Sequence, residues 1–501
     1  MTRLDQHITV RNPRTGAIER ELAAPSKNEL SEIISSLREH QKSWEKIGPN
    51  ARALILLRWH EELERESHAI LQALFEDTGR MTESVIELQV TLAGIERWAS
   101  LAPNLLDDSQ SQNAQIPGIA IYPSFRPYPL VGVISPWNFP LLLGCLDVIP
   151  ALAAGCAVLM KPSEVTPRFL TPLRACIARV PELSAVFAMV EGGAEVGQLM
   201  IPEVDIVCFT GSTEVGELVA LAGASAFTPV SLELGGKDPA IVLPGANIDR
   251  AAAGILWGGT ANAGQSCLSI ERVYVHEEIY EEFVSKIVKL ANSIGITYPT
   301  LESGALGPII AIDQVETIKN HLADAYSKGA KPMCGGEVKQ LGGGYYLEAT
   351  VLVDVDHSMK VMTEETFAPI LPIMKITSEE QAVQLSNSTI YGLSASVFAA
   401  SLEDGMRIGR QIDAGAISVN DASLTAIMHE GEKQALSHLH IEGVSAYIDN
   451  KGQVRNTITQ FINNAKSGLS YCGSQNLKIF REECRFIKVS PQSLQESKSR
   501  I

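Results

Sequence analysis

The sequence predicts an α/β protein with two doubly wound parallel-sheet domains and a small β element, on three observations. Short apolar runs alternate with amphipathic segments from Pro129 onward. The alternation starts afresh at Ala240. The chain has 501 residues, more than one hydrophobic core fills. Its 45% hydrophobic and 20% charged residues are the balance of an ordinary globular protein.

The first hundred residues read as helices. Ser26-x-x-Glu29 forms a capping box, and Asn50 is placed to cap a longer helix running through Leu71 to Phe75. The polar stretch Asp108–Pro117 and the alternating Ile119–Phe125 suggest a protruding hairpin. Strands are expected at Val131–Ser135, Ala157–Met160, Phe187–Val190, Ile206–Phe209 and Val230–Glu233, with helices near Arg168–Arg179 and Glu214–Leu221. The second series comprises strand Ala240–Leu243, helix Ala251–Asn262, strand Arg272–His276, helix Glu278–Leu290, and strands Ala395–Ala399 and Ile417–Asn420. Phe139–Met160 is apolar and about long enough to cross a bilayer, but Pro140, Asp147, Pro150, Gly144 and Gly155 interrupt it. It reads as a buried strand-turn-helix segment, so no integral membrane span is expected.

A formal charge of −17 argues against nucleic acid and anionic membranes as partners. The start, Met1 to His7, carries charge where a signal peptide needs an apolar run. Eight cysteines without a C-x-x-C pair suit a reducing cytoplasm, most of them as small core residues. No metal-ligand spacing is present, and His438 and His440 read as solvated. There is no G-x-G-x-x-G and no G-x-S-x-G, and Gly235-Gly236-Lys237 lacks the Ser/Thr of a phosphate loop.

Four segments fall at the ends of expected strands, where open α/β sheets bind ligands. They are Ser135-Pro136-Trp137-Asn138-Phe139-Pro140, Lys161-Pro162-Ser163-Glu164, Phe209 to Gly216, and Leu232 to Lys237 with Gly264-Gln265-Ser266-Cys267 beyond it. Cys267 lies 34 residues after Glu233 and follows a Gly-x-Ser turn, so its thiol can project into a cleft. A thiolate attacking a carbonyl creates the tetrahedral centre that hydride loss requires. Glu233 ends an apolar strand, where partial burial would raise its pKa toward that of a general base. The helix starting near Ser212 offers N–H groups and a positive dipole end to a pyrophosphate.

In order and spacing, together with Glu364-Glu365-Thr366-Phe367-Ala368-Pro369, these segments resemble the aldehyde dehydrogenase superfamily over about residues 10–430. The resemblance implies a Rossmann-like cofactor domain (1–107 and 128–235), a catalytic domain (236–440) and an oligomerisation element (108–127 and 477–501). It implies oxidation of a small-molecule aldehyde to an acid through a thioester on Cys267. The catalytic set is Cys267, Glu233, Asn138 and Lys161, with Asn138 and the Cys267 N–H as oxyanion donors. The cofactor set is Ser135, Trp137, Lys161, Glu164, Gly211, Ser212, Gly216, Leu234, Glu365 and Phe367. A carboxylate at Glu164 accepts from a free ribose 2′-OH and repels a 2′-phosphate, so NAD is expected ahead of NADP.

Leu141, Leu142, Leu143 and Leu146, with Leu268, are expected along the substrate tunnel. No arginine stands among them, which favours an apolar aldehyde, medium- to long-chain (fatty) or aromatic, over a semialdehyde. Residues 434–464 depart from the family pattern and read as an insertion of roughly thirty residues at the substrate entrance, which costs little in loop closure. Lys466-Ser467-Gly468-Leu469 is the candidate for the displaced family loop. The hairpin Ile119–Phe125, paired with the alternating tail Leu477–Val489, implies a homodimer or homotetramer. Three other readings stand beside this one: a coenzyme-A-acylating enzyme, against which Glu233 speaks; a cofactor-independent thiol esterase; and a non-enzymatic protein that kept the fold.

Overall fold

The computed structural model describes residues 8–108, 112–113, 120–122 and 124–422. The expected insertion 434–464, the tail 477–489, Lys466–Leu469, His438, His440 and the end of the expected catalytic domain lie outside them.

Two sheets organise the chain. The first has five parallel strands in the spatial order Phe187–Met189, Ala157–Lys161, Leu130–Ile134, Ile206–Thr210, Val230–Glu233. Chain order therefore runs outward from Leu130–Ile134 in one direction and then resumes on its other side. All five residues of Ala157–Lys161 are buried, as a strand covered by helices on both faces must be. The helices Lys27–Lys46 and Pro140–Ala154 pack directly on the sheet, and Pro49–Arg65 and Thr82–Leu105 pack behind Pro140–Ala154 in the same core.

The second sheet has seven strands. Ser394–Phe398 and Ala416–Val419 lie on one side of Asp238–Val242, and Ile270–His276, Ile370–Ile376 and Thr350–Val353 on the other. Lys331–Cys334 closes that edge antiparallel. Separate apolar clusters cover its two faces.

The expected strands and helices are present with ends shifted by a few residues, and Val230–Glu233 coincides. Several features differ. Residues 8–22 form an antiparallel hairpin, Ile8 opposite Leu22, rather than helix. Asn50 caps nothing: the helix starts at Pro49 behind Gly48 and stops at Arg65, so Leu71 and Phe75 belong to the next helix, Ser67–Thr78. Proline at the first helical position, with φ already set, explains that start. The capping box at Ser26 and Glu29 is formed. The apolar stretch from Phe139 is helix (Pro140–Ala154), turn, then strand, the reverse of the expected order. Among the described residues no helix is long and apolar enough to cross a membrane. Of the expected hairpin near Ile119–Phe125, Gln112–Asn113 pairs with Ala120–Ile121.

Candidate active site

Leu130–Ile134 and Ile206–Thr210 are hydrogen-bonded neighbours whose connections leave toward opposite edges of the sheet. Such a switch point leaves a crevice at the strands' carboxyl ends. Ser135–Pro140 and Gly211–Thr213 emerge there. A cleft of about 400 Å³ opens beside them, lined by Trp137, Asn138, Leu143, Gly211, Ser212, Leu234, Cys267, Glu365 and Phe367. Nine residues singled out in sequence thus meet at one place although they span both sheets.

Cys267 is reached through a strained turn. Asn262 and Ala263 have φ of 52° each and Gly264 of 70°, three consecutive left-handed residues. Gly264 is required there, because an added Cβ would collide with the Ala368 backbone. The Cys267 thiol is half-buried and free. Burial, then the carboxylates of Asp238 and Glu365, push it up to about 12. Half-buried Cys208 is also pushed up to about 12 by burial, so position at the cleft rather than acidity distinguishes Cys267.

Asn138 is buried, and its Nδ2 donates to the Gln265 carbonyl at 3.1 Å. The second amide hydrogen remains for the cleft. A network invisible in the sequence holds this residue. Arg80 donates to the Asn138 carbonyl at 2.8 Å and pairs with Glu87 at 2.9 Å, and Asn262 Nδ2 donates to the same carbonyl at 3.1 Å. The other Glu87 oxygen accepts the Leu141 and Leu142 N–H groups, capping the helix that begins at Pro140. Nothing in the local pattern separates Arg80 and Glu87 from solvated helix charges.

Glu365 and Phe367 sit on a loop clamped from behind. The Glu271 carboxylate accepts the Thr366 and Phe367 N–H groups at 2.7 Å each and pairs with buried Lys237 at 2.6 Å. Glu365 accepts the Gly236 N–H at 3.0 Å. Burial and then the charge of Glu271 raise Glu365 to about 7. The Trp137 and Phe367 rings meet edge-to-face at 5.4 Å.

The remaining expected residues are not among those that line the cleft. Lys161, buried at its strand end, pairs with Glu164 at 3.0 Å. Gly216 serves packing: an added Cβ would strike Leu234. Leu142 and Leu268 are half-buried, Leu146 is exposed, and Leu141 belongs to the core. Glu233 is exposed, so the partial burial expected to prime it is missing, and Lys161 and Lys237 pair with other carboxylates. A dinucleotide fits these residues. Ser212 caps the helix Thr213–Ala226, whose N-terminus opens on the cleft, while the buried Ser135 hydroxyl lies against Gly144 and off the cleft lining.

The model of the aldehyde dehydrogenase family matches residues 2–456. The chain belongs to the aldehyde dehydrogenase family. As an NAD(P)-dependent aldehyde dehydrogenase it resembles a putative aldehyde dehydrogenase, PutA, from Anabaena variabilis, at 50% identity and a TM-score of 0.83, covering 84% of this chain and 90% of that one. The Staphylococcus aureus betaine aldehyde dehydrogenase in complex with NAD+ aligns at 27% identity and a TM-score of 0.77, over 82% and 83% of the two chains. Among curated relatives, the mitochondrial succinate-semialdehyde dehydrogenase of Oryza sativa subsp. japonica is 34% identical over 426 residues, 83% of this chain and 80% of that one. The peroxisomal aminoaldehyde dehydrogenase 1 of Pisum sativum is 32% identical over 432 residues, 84% and 86% of the two.

Proposed function

We propose that this dehydrogenase converts an apolar aldehyde, medium- to long-chain or aromatic, to the carboxylic acid through a thiohemiacetal and a thioester on Cys267, using NAD ahead of NADP. The observation that carries this reading is the convergence of Cys267, Asn138, Glu365 and Phe367 on one cleft.

Cys267 Sγ attacks the aldehyde carbon, its proton passing to base, and the carbonyl oxygen takes up the negative charge. Asn138 Nδ2 and the Cys267 N–H are assigned as donors to that oxygen; losing one such donor costs about 3 kcal/mol of barrier. When bound, the nicotinamide cofactor supplies a hydride acceptor. Glu365, Phe367 and Trp137 would hold that end, the N-terminus at Ser212 the pyrophosphate, and Lys161 with Glu164 the adenosine ribose. Water then attacks the thioester, releasing the acid and the Cys267 thiol. Glu233 is assigned as the base for this step, which requires its exposed side chain to turn inward.

For the substrate, Leu143 lines the cleft and Leu142 and Leu268 are half-buried nearby. The Arg80 guanidinium is consumed by Glu87 and Asn138 and cannot receive a carboxylate. A semialdehyde is the second reading, favoured by the relatives named as succinate-semialdehyde dehydrogenases. Steady-state rates across an aldehyde chain-length series, with succinic semialdehyde alongside, decide between them: kcat/KM rising with chain length supports the apolar reading. A preference for the semialdehyde overturns it.

Residues 1–107 with 128–235, and 236–440, are the proposed cofactor and catalytic domains. Val215, Leu218, Leu221 and Phe227, exposed in and just after the helix Thr213–Ala226, support assembly as a homodimer or homotetramer. The free thiols among the described residues suit a reducing compartment such as the cytoplasm, although relatives are named as mitochondrial and peroxisomal.

A further inference from the structure

His321, on the helix Ile312–Ser327, is buried, lines the cleft and has no part in the chemistry above. Its Nδ1 lies 3.2 Å from the Thr366 hydroxyl and its Nε2 3.4 Å from Glu364. Thr366 stands between Glu365 and Phe367, so whatever fixes its side chain fixes the loop that carries both. The Lys237 ammonium, 3.1 Å away, donates to Thr366 Oγ1 and can only donate. The single hydroxyl hydrogen of Thr366 must therefore point elsewhere. Its two acceptors are His321 Nδ1 at 3.2 Å and the Glu364 carbonyl at 3.5 Å, and the first is the better bond. This assigns His321 as the neutral tautomer, with Nδ1 accepting and Nε2–H directed at Glu364.

We infer that His321 is a positioning residue for the cofactor: neutral, it latches Thr366 so that Glu365 and Phe367 face the cleft, and protonated, it releases that loop. Protonation places a hydrogen on Nδ1, turning an acceptor into a donor. Two cations, His321 and Lys237, then donate to one oxygen. The Thr366 hydrogen is left with the longer bond to the Glu364 carbonyl. The charged groups facing His321 from neighbouring elements are Lys237, Glu364, Glu271 and Lys360. Burial, then Lys237, lowers its pKa from the ordinary histidine range against the opposing pull of Glu364 and Glu271, so the latch is closed at neutral pH and opens on acidification.

The inference rests on the reading that Glu365 and Phe367 contact the cofactor. It is tested by calorimetric titration of NAD+ into the intact enzyme between pH 7.5 and 5, with the thermal midpoint recorded at each pH. Glu365, raised to about 7, titrates in the same range in wild type and variants alike, so the latch is read as a difference. Wild-type affinity should weaken about threefold to tenfold more on acidification than that of His321→Asn, the worth of one hydrogen bond. His321→Asn keeps an acceptor near Nδ1 that cannot be protonated, so its affinity should stay near wild type at pH 7.5 and fall less steeply on acidification, by the part that His321 contributes. Thr366→Val, which removes the hydroxyl, should bind weakly at pH 7.5 and show the same shallower fall as His321→Asn. A flat profile in the folded wild type, or a wild-type profile retained in either variant, overturns the latch. If Glu365→Gln leaves NAD+ affinity unchanged at pH 7.5, the cofactor reading itself falls. If that variant weakens binding while the wild-type profile is flat, the latch alone falls.

Discussion

The Asn138 side chain reaches across from the first sheet to the Gln265 carbonyl, 3.1 Å away, two residues before Cys267. The proposed oxyanion donor and the loop carrying the proposed nucleophile are thereby fixed to each other, and Arg80 fixes both through the Asn138 carbonyl and Asn262. Arg80→Met should lower stability by about 3–5 kcal/mol, because it leaves the Glu87 carboxylate buried and unpaired. Urea unfolding measures the loss, and turnover of the folded fraction should fall with it. A change below about 1 kcal/mol with normal turnover would show that Glu87 finds another partner.

Burial and the Asp238 and Glu365 carboxylates hold the Cys267 thiol near 12, so its thiolate is scarce at neutral pH without cofactor. Alkylation of Cys267 by iodoacetamide should therefore climb about tenfold per pH unit from 7 to 10 without a plateau. Glu365→Gln removes one of the negative charges that raise the thiol and should speed alkylation at every pH in that range. A plateau below pH 8, followed by peptide mass spectrometry, would place the thiol in an activating environment. Cys267→Ser should abolish dehydrogenation and leave NAD+ binding nearly intact.

Glu233→Gln should slow hydrolysis of the acyl-enzyme more than its formation, giving a burst of NADH before a slow steady state. Glu233 is exposed, so this result would also establish that the side chain swings in during turnover. Linear progress at the wild-type rate assigns the water to another group.

The Lys161–Glu164 pair leaves a carboxylate beside the proposed ribose site. Glu164→Ser should weaken NAD binding and improve NADP binding, by removing a charge that opposes the 2′-phosphate. A wild-type enzyme that already prefers NADP contradicts this role.

The alternation of apolar runs was enough to locate the strands of the first sheet, most directly Leu130–Ile134 and Ala157–Lys161, because a strand covered on both faces must be apolar throughout. The motifs around Asn138, Gly211 and Cys267 were legible for a similar reason, since turns, glycines and reactive groups are local features, whereas Glu365 was singled out only through the family resemblance and by its residues alone read as part of a solvated acidic pair. The sequence alone did not show that Asn50 yields to Pro49 as a helix start, or that residues 8–22 pair as a hairpin whose register depends on contacts fixed elsewhere. Nor could it pair Arg80 with Glu87 and Asn138, or Lys237 with Glu271, since a charged residue on a helix or strand looks the same whether water or a buried partner receives it. Burial is the property that separates the two cases, and it is decided by elements far apart in the chain. The same holds for Glu233: its place at a strand end was readable, but the exposure of its side chain is set by the edge position of that strand, which only the folded sheet determines.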